Sequence, residues 1–275
     1  MKQNLASVIS NVELAPGVHL LWLESPEIAA AAKPGQFVMV DCGEDMLLRR
    51  PLSIHQVDHV RSKLALLFAT VGKGTHWLSQ RKAGEKVDIL GPLGNGFTIL
   101  PNTKHLLLIA GGIGIAPLSF LAETAANQGC AVKLVQGAND DVDVLLDPLH
   151  THYTLVPRGM VATATQYAGA GTIDCFAGTA SVSSRWPTQM ATAFIPSLAD
   201  WADQVFACGP MPMYKAMAKM PELKGKSVQV SLEIVMGCGR GICYGCTIKT
   251  KKGLKEVCKD GPVFDMDDIP WDELK

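Results

Sequence analysis

The sequence lacks an excess of charge of either sign. It has 25 lysines and arginines against 26 aspartates and glutamates, a formal net charge of −1, and no run rich in lysine or arginine. Proteins that bind DNA or RNA carry a basic patch or stripe that neutralises phosphates. The composition therefore argues against nucleic acid as a partner.

The sequence also has no segment typical of export or of membrane insertion. Polar residues such as Asn4 and Ser7 interrupt the apolar stretch that a secretory signal would need. The longest apolar run, residues 106–122, is shorter than a typical membrane span, and three glycines and Pro117 interrupt it. We expect a cytoplasmic protein without membrane association, in which this run forms a buried strand that turns into a helix.

No internal repeat or low-complexity linker divides the chain, but the spacing of its apolar runs changes near residue 103. Before it, short runs such as "GQFVMVDC" alternate with Pro-Gly and Gly-Pro turns, a pattern typical of a small antiparallel barrel. After it, buried runs such as "KHLLLIAGG" alternate with helical segments, which indicates a doubly wound parallel sheet. We predict a β-barrel domain at 1–100, an α/β domain at 101–225 and a small cysteine-rich domain at 226–275.

Two glycine turns follow predicted strands of the parallel sheet, in "AGGIGIAP" and "ACGPMPM". Glycines between a strand and a helix let the backbone approach a pyrophosphate, which the helix N-terminus attracts. The same glycines also serve a tight turn that binds nothing, and an isolated cysteine is most often a small buried side chain. The candidate nucleotide-binding residues are Gly111, Gly112, Gly114, Cys208, Gly209 and Pro210.

Acidic residues follow the second predicted strand of this sheet, at Asp140 and Asp141. A carboxylate in this place commonly binds the adenosine ribose hydroxyls and repels a 2′-phosphate. We therefore expect NADH to be preferred to NADPH, with Asp140 as the candidate ribose ligand. The alternative is a solvated acidic turn.

Two segments of the predicted barrel are suited to a flavin. "LLRRPLSI" places Arg50, Pro51 and Ser53 in an otherwise apolar strand, where arginine suits a phosphate and a serine hydroxyl can reach a ring atom. "VGKGTHWLS" contains a Gly-x-Gly-Thr turn that leads into a predicted helix, another anion-binding geometry. Either segment alone is equally consistent with a surface arginine and an ordinary turn.

The order of these segments along the chain resembles the ferredoxin reductase superfamily, whose members join a flavin-binding antiparallel barrel to a nicotinamide-binding domain. The resemblance covers the first 225 residues. Leu52 stands where many members have an aromatic residue. The residues that the resemblance predicts to line FAD are Arg50, Pro51, Leu52, Ser53, Leu67, Phe68, Ala69, Gly74 and Thr75.

Four of the eight cysteines follow the pattern C-x4-C-x2-C-x11-C at Cys238, Cys243, Cys246 and Cys258. Disulfides are rare in the reducing cytosol, so clustered cysteines there more often bind metal or carry out redox chemistry. Structural zinc sites usually pair two separated C-x2-C knuckles, whereas C-x4-C-x2-C with a distant fourth cysteine is the plant-type 2Fe-2S spacing. Glycines between these cysteines allow backbone N–H groups to face sulfur. We predict a 2Fe-2S cluster, with zinc as the alternative.

The segments "MGCGRGICYGCTIKT" and "EVCKDGPVFDMDDIPW" resemble the electron-transfer subunits of class 1B dihydroorotate dehydrogenases. This resemblance implies FAD, a 2Fe-2S cluster and NAD(H) on one chain. It also implies an FMN-containing catalytic subunit as the partner, in a heterotetramer of two copies of each chain that serves pyrimidine (UMP) biosynthesis. Because the hard chemistry belongs to the cofactors, no side chain of this chain is predicted to be catalytic.

Two other functions are consistent with the sequence. A flavin and iron-sulfur reductase subunit that serves ferredoxin, polysulfide or a hydrogenase would share all three modules. A zinc-stabilised binding module without flavin belongs to a different class, and the colour of the purified protein distinguishes it, because zinc gives no visible absorption.

Overall fold

The structure is a computed structural model that describes residues 1–139, 165–166, 171–179 and 189–274. Its residues group into two units. The first unit combines Met1–Phe97 with Leu232–Val263, and the second combines Thr98–Ser231 with Phe264–Lys275.

Six antiparallel strands of the first unit close into a barrel, as the short apolar runs predicted. They are β1 Lys2–Ala15, β2 Val18–Glu24, β3 Phe37–Val40, β4 Arg50–Asp58, β5 Lys63–Ala69 and β6 Lys86–Leu93. Around the barrel the order is β1–β2–β5–β4–β3–β6. Every second side chain of β6 is buried, so one face of this strand lines the barrel core.

The second of the short helices is fixed to the barrel by one side chain. The helices of the described residues are α1 Pro26–Ala31, α2 Lys73–Ser79, α3 Ile115–Asn127, α4 Ile195–Leu198, α5 Met211–Met217 and α6 Val257–Asp260. Asn11 of β1 donates its Nδ2 hydrogens, at 3.0–3.1 Å, to three carbonyl oxygens at the end of α2, those of Leu78, Ser79 and Arg81. Carbonyls at the end of a helix lack helical donors, although that of Leu78 also accepts from the N–H of Arg81 at 3.1 Å; Asn11 thus caps this end and holds α2 against the barrel.

The second unit contains a seven-stranded sheet. Its strands are β7 His105–Gly111, β8 Ala131–Ala138, β9 Thr165–Gln166, β10 Thr172–Thr179, β11 Gln204–Cys208, β12 Ser227–Ser231 and β15 Val263–Asp265. Two further strands, β13 Thr247–Thr250 and β14 Gly253–Glu256, form a separate two-stranded sheet. The seven-stranded sheet has the order β15–β12–β11–β7–β8–β10–β9. From β12 to β10 the neighbouring strands pair in parallel, and β9 pairs antiparallel at one edge. The predicted parallel α/β domain is confirmed.

The apolar run at residues 106–122 divides as predicted. Its first part is β7, which is followed by a tight turn at Gly112–Gly114 and then by α3. Most side chains of α3 are buried against the sheet, which accounts for the length of the apolar run without a bilayer. In the part of the chain that the structure describes, no helix is both long and apolar enough to cross a membrane.

The chain changes direction across the sheet between β7 and β11. From β7 it continues to β8 on one side, and it later returns to β11 on the other side of β7. The loops that leave the carboxyl ends of two such strands diverge, and the crevice between them is where open α/β sheets bind ligands. Both predicted glycine turns lie at this switch point.

The two glycine turns pack directly on each other. A Cβ added to Gly114 would collide with the carbonyl oxygen of Cys208, and one added to Gly111 would lie 2.5 Å from Cδ of Pro210. A Cβ on Gly209 would lie 2.9 Å from the backbone nitrogen of Gly111. These three glycines are therefore required for the close approach of the two turns, whatever they bind.

The cysteine-rich segment belongs to the unit of the barrel. Asn95 binds the closing turn of this segment twice. Its backbone N–H donates to the carbonyl oxygen of Gly261 at 2.6 Å, and its Nδ2 donates to the carbonyl oxygen of Asp260 at 3.0 Å. In the loop itself, a Cβ on Gly239 would lie 2.5 Å from Cγ of Met39 in β3. The loop thus lies against a barrel strand.

The three-part division predicted from the sequence, with limits after residues 100 and 225, stays a prediction. The two units differ from it at the C-terminal side. β12 pairs in parallel with β11 and so lies in the sheet, and Leu232–Val263 groups with the barrel. The difference arises from contacts such as Asn95 to Gly261, which join residues far apart in the sequence.

We expect Gly114→Ala to destabilise the second unit through steric overlap alone. Gly114 has φ −60°, so alanine fits its backbone, but the new Cβ would overlap the oxygen of Cys208. The expected loss is about 3 kcal/mol. The control is Gly225→Ala, where no atom lies within 4 Å and only the left-handed backbone (φ +80°) costs about 1 kcal/mol. Thermal midpoints measured in parallel test this; equal shifts in the two variants would contradict it.

Candidate functional site

The two segments predicted to bind flavin phosphate meet on the barrel. The side chain of Arg50, the first residue of β4, lies over Gly74 at the beginning of α2. A Cβ on Gly74 would lie 3.1 Å from Nε of Arg50 and 3.3 Å from Cβ of Cys42. Strand and helix thus present a guanidinium and a bare backbone side by side, which is the combination that a phosphate needs.

Arg50 is available to an anion, whereas its neighbour Arg49 is not. Arg49 pairs with Asp88 at 2.6 Å and with Asp41 at 3.8 Å. Burial raises the pKa of Asp88, but the bonds from Arg49 and Gln3 outweigh it and hold that pKa below its ordinary value. Arg50 instead donates to the carbonyl oxygen of Leu48 at 2.7 Å, and within the described residues it forms no ion pair.

The Thr75 hydroxyl shapes the turn before α2. It accepts hydrogen bonds from the N–H groups of Val71 (3.0 Å) and Gly72 (3.2 Å), and it donates to the oxygen of Gly72 (3.1 Å). Thr75 is buried, at 8% exposure. Any contact of Thr75 with FAD would therefore be made by its backbone, while the hydroxyl keeps the turn in place.

The other predicted flavin residues lie on the adjacent strands β4 and β5. Pro51, Leu52 and Ser53 are half-buried in β4. Leu67 and Phe68 are each 2% exposed, so the protein already covers their side chains, and the backbone of β5 with Ala69 is what remains for a ligand. All of them stay predicted FAD contacts.

A buried thiol that the sequence did not reveal, that of Cys42, lies beside Arg50 and Gly74. Cys42 is 2% exposed and approaches Gly74. Burial raises the pKa of Cys42 to about 11 although the Arg50 charge opposes this, so the thiol is neutral at pH 7. It has no motif around it, and only the fold brings it to this place.

At the nucleotide site the predicted glycines are not equivalent. Gly112 has φ +52°, and a Cβ there would meet nothing within 4 Å, so the space above it is open. Its carbonyl oxygen accepts a hydrogen bond from the buried Gln136 at 3.2 Å. Gly111 and Gly114 instead face the second turn. Gly112 is therefore the candidate for direct contact with a pyrophosphate.

The second turn exposes Pro210 and buries its two predecessors. Cys208 is 1% exposed, so its thiol fits the reading of a small buried side chain. The N–H of Gly209 donates to the hydroxyl of Tyr214 at 2.8 Å. The predicted ribose ligand Asp140, with Asp141, lies outside the described residues.

The four cysteines of the predicted cluster lie in one loop and its closing turn. Cys246 and Cys258 are buried, Cys238 is half-buried and Cys243 is exposed. The thiols form two pairs within hydrogen-bonding reach, Cys238 with Cys243 and Cys246 with Cys258. Among the described residues, no group of three or more His, Cys, Asp or Glu side chains surrounds one metal position. The four thiols would supply the four-cysteine ligand set of a 2Fe-2S cluster.

Backbone N–H groups point at three of the four sulfurs. Cys238 Sγ accepts from Arg240 and Ile242 at 3.4 Å, Cys258 Sγ from Gly241 at 3.1 Å, and Cys246 Sγ from Cys258 at 3.4 Å. Burial opposes ionisation of Cys238, but the N–H donors outweigh it and lower its pKa to about 6. Burial and the adjacent Cys246 raise the pKa of Cys258 to about 12 in the metal-free protein.

The glycines of the loop fit the role that the sequence assigned to them. Gly239 and Gly241 have φ of +68° and +73°, and Tyr244 adopts +57°. A Cβ on Gly237 would lie 3.3 Å from Cys243 Sγ, so a side chain there would crowd the sulfur. This backbone leaves room for the cysteine sulfurs and turns N–H groups toward them, as a 2Fe-2S cluster would require, and the four cysteines stay its predicted ligands.

Comparisons with known proteins identify similarity along the whole chain. Residues 233–270 match the iron-sulfur cluster binding domain of dihydroorotate dehydrogenase B. The chain is 39% identical to the dihydroorotate dehydrogenase B (NAD(+)) electron transfer subunit of Desulforamulus reducens, over 97% of this chain and 98% of that protein. It is 36% identical to the subunit of the same name from Listeria innocua, over 98% and 99%.

Two solved structures show the same architecture. The NADH-dependent reduced ferredoxin-NADP oxidoreductase superposes with a TM-score of 0.81 and 27% identity, over 98% of this chain and 91% of that one. The ferredoxin reductase of carbazole 1,9a-dioxygenase superposes with a TM-score of 0.65 and 18% identity, over 83% of this chain and 68% of that one. The second of these supports the fold alone.

We expect Arg50→Ala to weaken FAD binding about tenfold or more, because it removes a charge-assisted contact to phosphate. Arg49→Ala is the matched control, since Arg49 is already paired with Asp88. FAD dissociation constants of flavin-depleted protein and iron content test this. Iron should be the same in both variants. An equal loss of FAD affinity in the two, or no loss in Arg50→Ala, would contradict the assignment.

Proposed function

Because the chain belongs to the family of dihydroorotate dehydrogenase B electron transfer subunits, we propose that it carries electrons between NAD+ and the FMN of a separate catalytic subunit. The observation that carries this proposal is the position of the cysteine loop on the barrel. Gly239 lies against Met39 of β3, and the partner of Met39 in β4 is Pro51 of the flavin segment.

The loop and the flavin segment are therefore separated by one strand pair. Neighbouring strands lie about 4.8 Å apart. A cluster held by the four cysteines and a flavin held by β4 would thus lie close together, both attached to the same rigid barrel. This arrangement is suited to electron transfer, which requires fixed and short separations but no movement of protein groups.

When bound, FAD supplies two-electron exchange with NADH and one-electron exchange with a 2Fe-2S cluster. The protein's task is to hold the groups in place. Arg50 and the turn at Gly74 would bind the flavin phosphates, and β4 and β5 would orient the ring. The N–H groups of the cysteine loop would stabilise negative charge on the sulfurs.

NAD(H) would bind at the switch point of the parallel sheet. The pyrophosphate would lie over Gly112 at the beginning of α3, with the adenosine toward the end of β8, after which Asp140 follows in the sequence. The nicotinamide half would then cross toward β11 and the turn at Cys208–Pro210. Preference for NADH over NADPH follows from Asp140 and belongs to this proposal.

The exposed side of the cysteine loop is the proposed route to the partner. Cys243 is exposed, and its apolar neighbours Ile242 and Tyr244 are 65% and 68% exposed. Val235, earlier in the segment, is 86% exposed. Apolar side chains on this scale, next to a redox ligand, suit burial against another protein. We propose that the partner is the FMN-containing dihydroorotate dehydrogenase catalytic subunit, in a cytoplasmic heterotetramer of two copies of each chain that serves UMP synthesis.

A second candidate is a reductase subunit that serves ferredoxin or another redox protein. The similarity to the NADH-dependent reduced ferredoxin-NADP oxidoreductase structure favours it. The two candidates share cofactors and differ in the partner, so capture of the associated chain from cell extract separates them. Orotate-linked activity of the captured complex supports the first candidate.

We expect Cys258→Ser to separate the two halves of the electron path. A serine oxygen is a poorer iron ligand than a thiolate, so iron should be lost. The flavin and nucleotide residues are unchanged, and NADH should still reduce a two-electron dye, while orotate-linked activity of the complex should fall about a hundredfold or more.

The matched control is Cys130→Ser. Cys130 is buried, and its thiol donates to the carbonyl oxygen of Thr103 at 3.5 Å, a bond that a serine hydroxyl also makes. The Cys130→Ser variant should retain its iron, its reduction of the dye by NADH and its orotate-linked activity. Orotate-linked activity that persists in Cys258→Ser after the iron is gone would show that the cluster is not in the path.

A further inference from the structure

We propose that Tyr214 is a positioning residue for the nicotinamide half of NAD(H), an inference that rests on the nucleotide site described above. Tyr214 lies in α5, directly after the turn at Cys208–Pro210, and it is 1% exposed. No motif in the sequence marks it. Its hydroxyl connects the turn to the end of a neighbouring strand of the same unit.

The Tyr214 hydroxyl makes two short hydrogen bonds. It accepts from the N–H of Gly209 at 2.8 Å and donates to the carbonyl oxygen of Ser231, the last residue of β12, at 2.6 Å. Both partners are backbone groups in buried residues. Because a phenol has one hydrogen to donate, the direction of each bond is determined: a carbonyl oxygen can only accept and an N–H can only donate.

These bonds fix the turn at its tightest point. A Cβ on Gly209 would lie 2.6 Å from Cε of Met213 and 3.0 Å from Cα of Gly111. Gly209 therefore has no room to move closer to Met213 and Gly111, and its bond to Tyr214 prevents it from moving away from them. The turn at 208–210 is thus held against Gly111, whereas a Cβ on Gly112 would meet nothing within 4 Å, so Gly112 does not share this contact.

Phenylalanine at position 214 would keep the ring and remove both bonds. The N–H of Gly209 and the oxygen of Ser231 would then be left without this partner in a buried place, and the backbone would shift to find others. The shift would be felt at the nicotinamide end, whereas Gly112 and the adenosine side would stay as they are. The expected effect is therefore selective for one half of the dinucleotide.

The test compares two ligands that differ in the nicotinamide half. Tetrahydro-NAD, a non-reactive analogue of NADH, carries both halves, and ADP-ribose lacks the nicotinamide ring. Their dissociation constants are measured by calorimetry on the holoprotein with FAD and iron bound. For Tyr214→Phe we expect tetrahydro-NAD to bind about three- to tenfold more weakly, with ADP-ribose unchanged within about twofold.

Trp271→Phe is the matched control. The Trp271 ring packs on Tyr214 with centroids 5.4 Å apart, and its Nε1 donates to the oxygen of Met266 at 3.0 Å. This variant removes the side-chain bond to Met266 and part of the ring packing beside Tyr214 without touching Gly209. We expect a lower thermal midpoint, as in Tyr214→Phe, with both ligands binding as in the unmodified protein.

Each other outcome overturns the inference. Equal weakening of both ligands, or no weakening of either, would mean that Tyr214 does not act on the nicotinamide half. Loss of FAD from Tyr214→Phe would mean that the substitution disturbs the protein beyond the nucleotide site, and the same selective loss in Trp271→Phe would mean that Tyr214 acts only through the packing of the second unit. Failure of the proposed nucleotide site is distinct from these, because the unmodified holoprotein would then bind neither ligand.

Discussion

The position of the cysteine loop against β3 is the constraint on which the arrangement of the first unit depends. Gly239 meets the side chain of Met39, and a larger residue would push the loop away from the barrel. On the other side of the loop, Asn95 binds the closing turn through its N–H and its side chain. Two contacts from the barrel thus hold both ends of the segment that carries the four cysteines.

The second unit follows a similar rule, since close approach of backbones determines where a ligand has space. Gly111, Gly114 and Gly209 allow the two turns at the switch point to touch, and this contact leaves Gly112 as the glycine with open space above it. The turn at 208–210 is then held from behind by a tyrosine. Packing within the protein therefore defines the nucleotide site before any ligand contact is considered.

Much of this could be predicted from the sequence because the signals are local. The strands β7, β8 and β11 and the helix α3 follow from apolar runs and their glycine turns, and the spacing of Cys238, Cys243 and Cys246 limits the metal chemistry on its own. The four-cysteine site and the FAD and nucleotide contacts remain predictions.

What the sequence could not predict depends on residues far apart in the chain. Asn11 donates hydrogen bonds to carbonyl oxygens 67 to 70 residues away in the sequence, and Asn95 donates to that of Asp260, 165 residues away. Glycines that look alike in "AGGIGIAP" differ in backbone conformation and in what they face, since Gly112 faces open space and Gly111 and Gly114 face the second turn. Tyr214 and Cys42 have no pattern around them, so the fold alone reveals what they contact.

The central claim is that NADH and the cysteine loop are connected through one chain, and low-temperature EPR of the isolated protein tests it most directly. The protein, purified with FAD and iron, is mixed anaerobically with NADH and frozen, and a parallel sample is reduced with dithionite. The account predicts that NADH alone produces the signal of a reduced two-iron, two-sulfide centre, and that the signal is absent from Cys258→Ser. A signal that appears with dithionite but not with NADH would contradict it.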